Sequence, residues 1–166
     1  KNEVLESFTV VSAEFQTKGR GQMETVWYSS EGSNLLFSIL IKFQGVLAAD
    51  QFFLNCAVSL AILEALKPYK LPELRVKWPN DIMADNRKLG GMLIENSVLS
   101  GQIRYAIVGI GLNVNEEKFP PELSKAISMY QILGKKTDKN ALLLELVERI
   151  KLYAGLFESG GHKRLM

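Results

Sequence analysis

Gln16-Thr-Lys-Gly-Arg-Gly-Gln22 sets two cationic side chains among glycines. Gly19 and Gly21 flank Arg20 and free the backbone to adopt positive φ and approach a ligand closely. Neighbouring N–H groups can then converge on an anion. Arg20 adds a fixed fork of donors suited to phosphate or carboxylate, and Lys18 adds a mobile charge. The spacing is not that of a Walker loop, which needs a terminal Gly-Lys-Ser/Thr. A second polar cluster is Lys77-Trp-Pro-Asn-Asp81. Asn80 and Asp81 can close an ordinary turn, or they can hold a ribose, a base edge or a metal-bridged phosphate. Lys88 follows, with Gly90 and Gly91 just beyond it. An ammonium beside bare backbone can anchor a carboxylate while it attacks a phosphate. Singly, these segments read as solvated basic turns; together they point to chemistry between two anions.

Two further segments bear on the same chemistry. Trp27 can stack on a purine or pack beneath the first loop. In Gly109-Ile-Gly-Leu-Asn-Val-Asn115, glycines inside a strand signal either a bulge or the close approach of a ligand or another backbone. Asn113 offers both a donor and an acceptor. His162 is the single histidine, which argues against a catalytic triad or a His-rich metal site.

The elements that must position these residues follow from periodicity. Phe8 to Ala13 reads as a short strand entering a polar loop, Glu14 to Asn34. Leu35 to Phe43 is apolar almost throughout, as for a central strand covered on both faces. Asp50 is placed to cap a helix whose apolar residues run from Phe53 to Leu66, with Pro68 as its stop. Leu74 to Trp78, Ile82 to Ala84 and Lys88 to Glu95 read as strands, with a turn at Asp85-Asn86-Arg87. Ser100-Gly101 marks a hairpin before a strand from Ile103 to Val114. A last amphipathic helix begins near Asp138, runs past Phe157 and stops at Gly160-Gly161. Strands grouped in hairpins, with two long helices set apart, indicate an α+β fold: a mixed β-sheet with helices packed on one side.

The 166 residues, 47% hydrophobic and 23% charged, suit one globular domain with a real core. With 20 basic and 18 acidic residues, the net charge of +2 gives no bulk case for nucleic acid or membrane binding. Cys56, the only cysteine, cannot form an internal disulfide and reads as a buried thiol in a reducing compartment. No apolar run is expected to reach the roughly 20 residues of a membrane span.

Taken together, Ala13 to Gln22, Trp27, Gly32 to Leu35, Lys77 to Asp81, Lys88 to Leu93 and Gly109 to Asn113 resemble, in order, the catalytic domain of biotin protein ligases, also called biotin–acetyl-CoA-carboxylase ligases. The resemblance implies a class II aminoacyl-tRNA synthetase-like, biotin–lipoate ligase fold, and a cytoplasmic ligase using ATP, Mg²⁺ and biotin. Biotin would be activated as biotinyl-5′-AMP, then transferred to a lysine of a biotin carboxyl carrier protein of acetyl-CoA carboxylase or a related carboxylase. It assigns catalysis to Lys88 and Arg20. Biotin contacts fall on Gln16, Arg20, Gly21, Gln22, Lys88 and Gly90. ATP contacts fall on Arg20, Gln22, Trp27, Asn80, Asp81, Lys88 and Asn113, with Asp81 also facing Mg²⁺ carried by ATP. Three departures stand out. A Ser-Thr-Asn segment usual upstream is absent from Lys1 to Ser7. Glu24 replaces a common glycine and Gln22 a common arginine. The C-terminal SH3-like domain and an N-terminal helix-turn-helix are lacking. The expectation is therefore a single catalytic domain, residues 1–166, truncated at its N-terminus, weak in biotin binding by itself, without DNA or membrane binding, and able to form a homodimer through a strand edge. The alternatives are a lipoate or octanoate protein ligase, or a non-catalytic biotin- or nucleotide-binding module.

Overall fold

Alternation along three strands governs the architecture. The computed structural model describes residues 5–19, 21 and 27–160. Its elements are β1 (Val10–Ala13), β2 (Leu35–Lys42), α1 (Gln51–Leu66), β3 (Arg75–Lys77), β4 (Asp81–Ala84), β5 (Arg87–Leu99), β6 (Gln102–Leu112), α2 (Met129–Leu133) and α3 (Lys139–Glu158). The strands form one sheet in the order β1-β2-β6-β5-β4-β3. In register, Ile39 opposes Val108 and Val108 opposes Ile94, while Phe37, Ile110 and Met92 form the next row. These rows join a core shared with Leu54, Ala61 and Ile62 of α1 and Leu142, Leu146 and Ile150 of α3. The intervening residues face the other way: Leu36, Gly111 and Gly91 in one row, Ser38, Gly109 and Leu93 in the next, then Leu40, Ile107 and Glu95.

The α+β class stands, but the expected mixed sheet is corrected. All five strand pairings are antiparallel. Tight turns join β4 to β5 and β5 to β6, with positive φ at Asp85 and Asn86 and at Ser100 and Gly101, as two-residue hairpins require. The crossover through α1 carries the chain from β2 to β3, the far edge of the sheet, so none of the named strands runs parallel to its neighbour; the parallel pairing among the described residues is an isolated bridge between Lys88 and Ala126.

Other boundaries shift for local reasons. Phe8 takes a positive φ of 67°, and β1 begins only at Val10. Asp50 makes no side-chain capping bond to α1; a 3-10 turn over Ala48–Asp50 leads into the helix instead. Asp138 does cap α3, its side chain accepting from the backbone N–H groups of Asn140 and Ala141. Helix α3 ends at Glu158, and Gly160 has φ +73°; Gly161 and His162 lie outside the described residues. The helical stretch Ala48–Tyr69 is, against expectation, long and apolar enough to cross a membrane by length and composition, with mean hydropathy 1.4. Its core α1 buries Leu54, Ala57, Val58, Ala61, Ile62, Ala65 and Leu66 within the domain. That apolarity is what a helix between a sheet and a second helix requires.

Candidate functional site

Three glycines hollow the face of the sheet that the helices leave uncovered. Gly91 on β5 lies opposite Gly111 on β6, and Gly109 lies opposite Leu93. They help to floor a cavity of about 430 Å³. Of the two readings of these glycines, the bulge occurs at neither Gly109 nor Gly111: β2 and β6 pair in unbroken register through both. The reason for glycine at 111 is Trp27. A Cβ there would stand 2.7 Å from Cε2 and 2.8 Å from Cζ2 of the indole. Trp27 thus lies flat against the glycine floor, and its Nε1 is buried with no hydrogen-bond acceptor among the described residues.

One wall of the cavity comes from the segment entering β4 and from β5. Asn80 is fixed twice to Met92: its Nδ2 donates to the Met92 carbonyl at 2.9 Å, and the Met92 N–H donates to the Asn80 carbonyl at 3.0 Å. Asp81 accepts from Lys88 Nζ at 2.6 Å, in a partly exposed pair. The same ammonium lies 5.8 Å from the centroid of the Trp27 ring. The backbone of Lys88 is held as firmly as its head is poised. Its N–H donates to Lys125 O at 2.7 Å, and its carbonyl accepts from Ile127 N at 2.9 Å.

How Lys88 reaches this wall depends on one irregular residue. Gly91 opposes Asp81 and Gly90 opposes Ile82, but Met83 then opposes Lys88, leaving Leu89 unpaired with β4. In a regular strand Lys88 and Gly91, three apart, would face opposite sides. The bulge reverses that parity. Leu89 and Gly90 both turn to the core, and the Lys88 stem passes over Gly91, its Cε within 3.7 Å of where a Cβ would be.

The opposite wall is the Gly-rich loop. Gln16, Lys18, Gly21 and Trp27 line the cavity. The loop is closed at its base, where Trp27 N–H donates to Gly19 O at 3.0 Å. A Cβ at Gly19 would meet Trp27 O at 2.8 Å and Gln16 Oε1 at 2.9 Å, so glycine is required for this closure. Arg20, Gln22 and Glu24 lie outside the described residues.

Of the residues singled out in the sequence, Gln16, Gly21, Trp27, Asn80, Asp81 and Lys88 converge on one cavity. Gly90 and Asn113 do not. Gly90 faces the core, where a Cβ would meet Leu112 Cδ2 at 2.5 Å and Gly111 O at 2.7 Å; its neighbour Gly91 takes the lining position. Asn113 is buried and spends its amide on the carbonyls of Ile127 (3.1 Å) and Lys88 (3.4 Å), which makes it a brace behind Lys88. The lining also includes Ser38, Leu93 and Ile107. Their signal in the sequence is alternation with buried Phe37, Ile39 and Val108, usable only once the covered face is known.

No three His, Cys, Asp or Glu side chains gather as a metal site among the described residues. Asp81 alone suits a Mg²⁺ that arrives with phosphate oxygens as its other ligands. Burial pushes the Cys56 thiol up, and burial with Asp138 and Glu145 nearby raises Tyr69; both stand outside the cavity lining.

The model of the biotin/lipoate A/B protein ligase family matches residues 2–113. The chain belongs to this family. It is 34% identical over 142 residues to the bifunctional ligase/repressor BirA of Bacillus subtilis, an alignment spanning 84% of this chain and 43% of that protein. Against BirA of Escherichia coli it is 30% identical over 159 residues, 95% of this chain and 49% of that protein. A biotin protein ligase from Aquifex aeolicus, solved in complex with biotin and ATP, superposes with a TM-score of 0.79 at 31% identity, covering 95% of this chain and 65% of that one. The chain thus spans about half the length of these curated relatives. The family fold, with its antiparallel sheet and packed helices, is the one described above.

Proposed function

We propose that this chain is the catalytic part of an ATP-dependent biotin protein ligase. The observation that carries the reading is the position of Lys88. Its ammonium stands on a glycine-floored cavity between the Asp81 carboxylate and the Trp27 ring. Joining a carboxylate to the α-phosphate of ATP brings two anions together, and a held cation with aligned donors lowers that barrier. The solved relative from Aquifex aeolicus, named for biotin and ATP, supports biotin and ATP as the pair.

In the first step a carboxylate oxygen of biotin attacks the α-phosphorus. The bond to the bridging oxygen breaks, and pyrophosphate leaves with the electron pair, giving biotinyl-5′-AMP. Lys88 neutralises the carboxylate and the α-phosphate as they meet. Gln16 and Gly21 face biotin, and Arg20 and Gln22 contact it. Trp27 and Asn80 serve the nucleotide side. Asp81 would hold Mg²⁺, which would supply charge neutralisation of the ATP phosphates. In the second step the neutral ε-amine of an acceptor lysine attacks the acyl carbon, the C–O bond to phosphate breaks, AMP leaves with its electron pair, and the nitrogen loses a proton to solvent as the amide forms. The acceptor is a biotin carboxyl carrier protein, and the setting is cytoplasmic. The mixed anhydride must be kept from water until the acceptor lysine arrives.

The test is incubation of the full-length protein with Mg-ATP and, separately, biotin, lipoate and octanoate, with each acyl-adenylate quantified. Adenylate from biotin alone is expected. Turnover of lipoate or octanoate without biotin would replace this reading with the other branch of the family. Binding of biotin and ATP without adenylate would mark a non-catalytic module.

A further inference from the structure

Beyond the cavity lies a buried acid for which the reaction has no direct use. Glu116 follows β6 in the chain and is only 5% exposed. Its carboxylate accepts three hydrogen bonds: Ser30 Oγ at 2.8 Å, Asn34 Nδ2 at 2.9 Å and Ser30 N–H at 3.1 Å. Its backbone carbonyl accepts a fourth from Ser128 Oγ at 2.6 Å. No cation among the described residues lies within ion-pair distance of it. Burying a carboxylate without a counter-charge is costly unless its lone pairs are met by donors. Here three donors converge, two of them from one residue, and a neutral oxygen could not serve all of them as strongly.

What these donors share is their place in the chain. Ser30 stands three residues after Trp27, and Asn34 immediately precedes β2. Asn34 is itself tied across to the β6 exit, its Oδ1 accepting from Val114 N–H at 3.0 Å; Asn115 N–H donates to Ser33 O at 2.8 Å. Trp27 is thus suspended between two pins. One is its own backbone bond to Gly19, and the other is the Glu116 carboxylate acting on Ser30. Glu116 extends from the strand that carries Gly111, the surface against which the indole rests.

We propose that Glu116 is a positioning residue for the cavity: through Ser30 and Asn34 it holds the Trp27 indole on Gly111, and so sets the gap between Trp27 and Lys88. The inference rests on the reading of this cavity as the substrate site. It also makes a prediction about Trp27 that does not depend on that reading.

The experiment compares wild type, Glu116→Ala, Glu116→Gln and Ser30→Ala in the full-length protein. Subtracting the emission of the matching Trp27→Phe protein from each isolates the Trp27 signal. For Glu116→Ala the expected results are a red-shifted Trp27 component and a KM for biotin or ATP raised about tenfold, about 1.4 kcal/mol, with kcat changed less. Glu116→Gln should restore most of both, because its amide oxygen can accept, though more weakly, from Ser30 N–H and Asn34 while its NH₂ donates to the Ser30 hydroxyl. Ser30→Ala should shift both readouts in the same direction by less, and it decides the matter if Glu116→Ala does not fold. An unmoved Trp27 emission, a fall in kcat at constant KM, or failure of Gln to rescue would overturn the proposal. If wild type forms no adenylate, the functional reading fails, while the emission series still supports or overturns the role of Glu116.

Discussion

The two faces of strands β2, β6 and β5 are made from the same stretch of chain yet built to opposite ends. The covered face is continuous hydrocarbon: Phe37, Ile39, Val108, Ile110 and Met92 packed beneath α1 and α3. The open face, one residue out of phase, is hollowed by Gly91, Gly109 and Gly111 and furnished with Ser38, Leu93 and Ile107. Neighbours in sequence therefore answer to different demands. One face must bury area against helices, and the other must leave room. Stability and ligand space are separated by parity, and the bulge at Leu89 is where β5 trades one parity for the other beside the cavity.

Substitutions on alternate faces can break that comparison. Lys88→Ala should have the largest effect, lowering adenylate formation at least about 10³-fold, roughly 4 kcal/mol, with little change in thermal stability because the ammonium is partly exposed. Unchanged turnover in a rapid-quench assay would contradict the assignment. Ile39→Ala, at a wholly buried core position, should destabilise by about 3 kcal/mol in urea titration. Its folded fraction should still bind ligand, since Ile39 faces the helices. The adjacent glycines give the sharpest contrast. Gly90→Ala should lose about 1–3 kcal/mol of stability, because its Cβ would meet backbone and Leu112. Gly91→Ala has 3.6 Å or more of clearance and should leave stability almost unchanged, while its methyl group weakens ligand binding in calorimetry. A result with these two exchanged would move the bulge. The smallest effect belongs to Ser38→Ala, beside Ile39 but on the open face, where the stability change should stay within about 0.5 kcal/mol.

The strands and both long helices are legible from periodicity, and the site's halves from their glycines and charges. What stayed hidden is physical in kind. The bulge at Leu89 leaves no mark in composition, so Gly90 and Gly91 could not be told apart by sequence. Asn113 carries the same donor and acceptor whether it meets a nucleotide or two backbone carbonyls; only burial decides. Glu116 looks like one more surface acid beside Glu117, because its donors lie more than eighty residues earlier. Helix α2 had a usable signal, the Ser128-x-x-Gln131 capping box, but it is too short for periodicity to register. The antiparallel sheet depended on where α1 delivers the chain, a long-range fact.

The Asp81–Lys88 pair sets terms of entry. With Lys88 paired to Asp81 at 2.6 Å, a lone anion such as chloride or sulfate must compete with that carboxylate for the ammonium, in a pair that is partly exposed to water. A ligand that brings both signs, a cation for Asp81 and an anion for Lys88, can exchange partners on both sides at once. Under the proposed function a metal-bearing nucleotide is such a ligand, and binding it would turn one internal ion pair into two contacts with substrate.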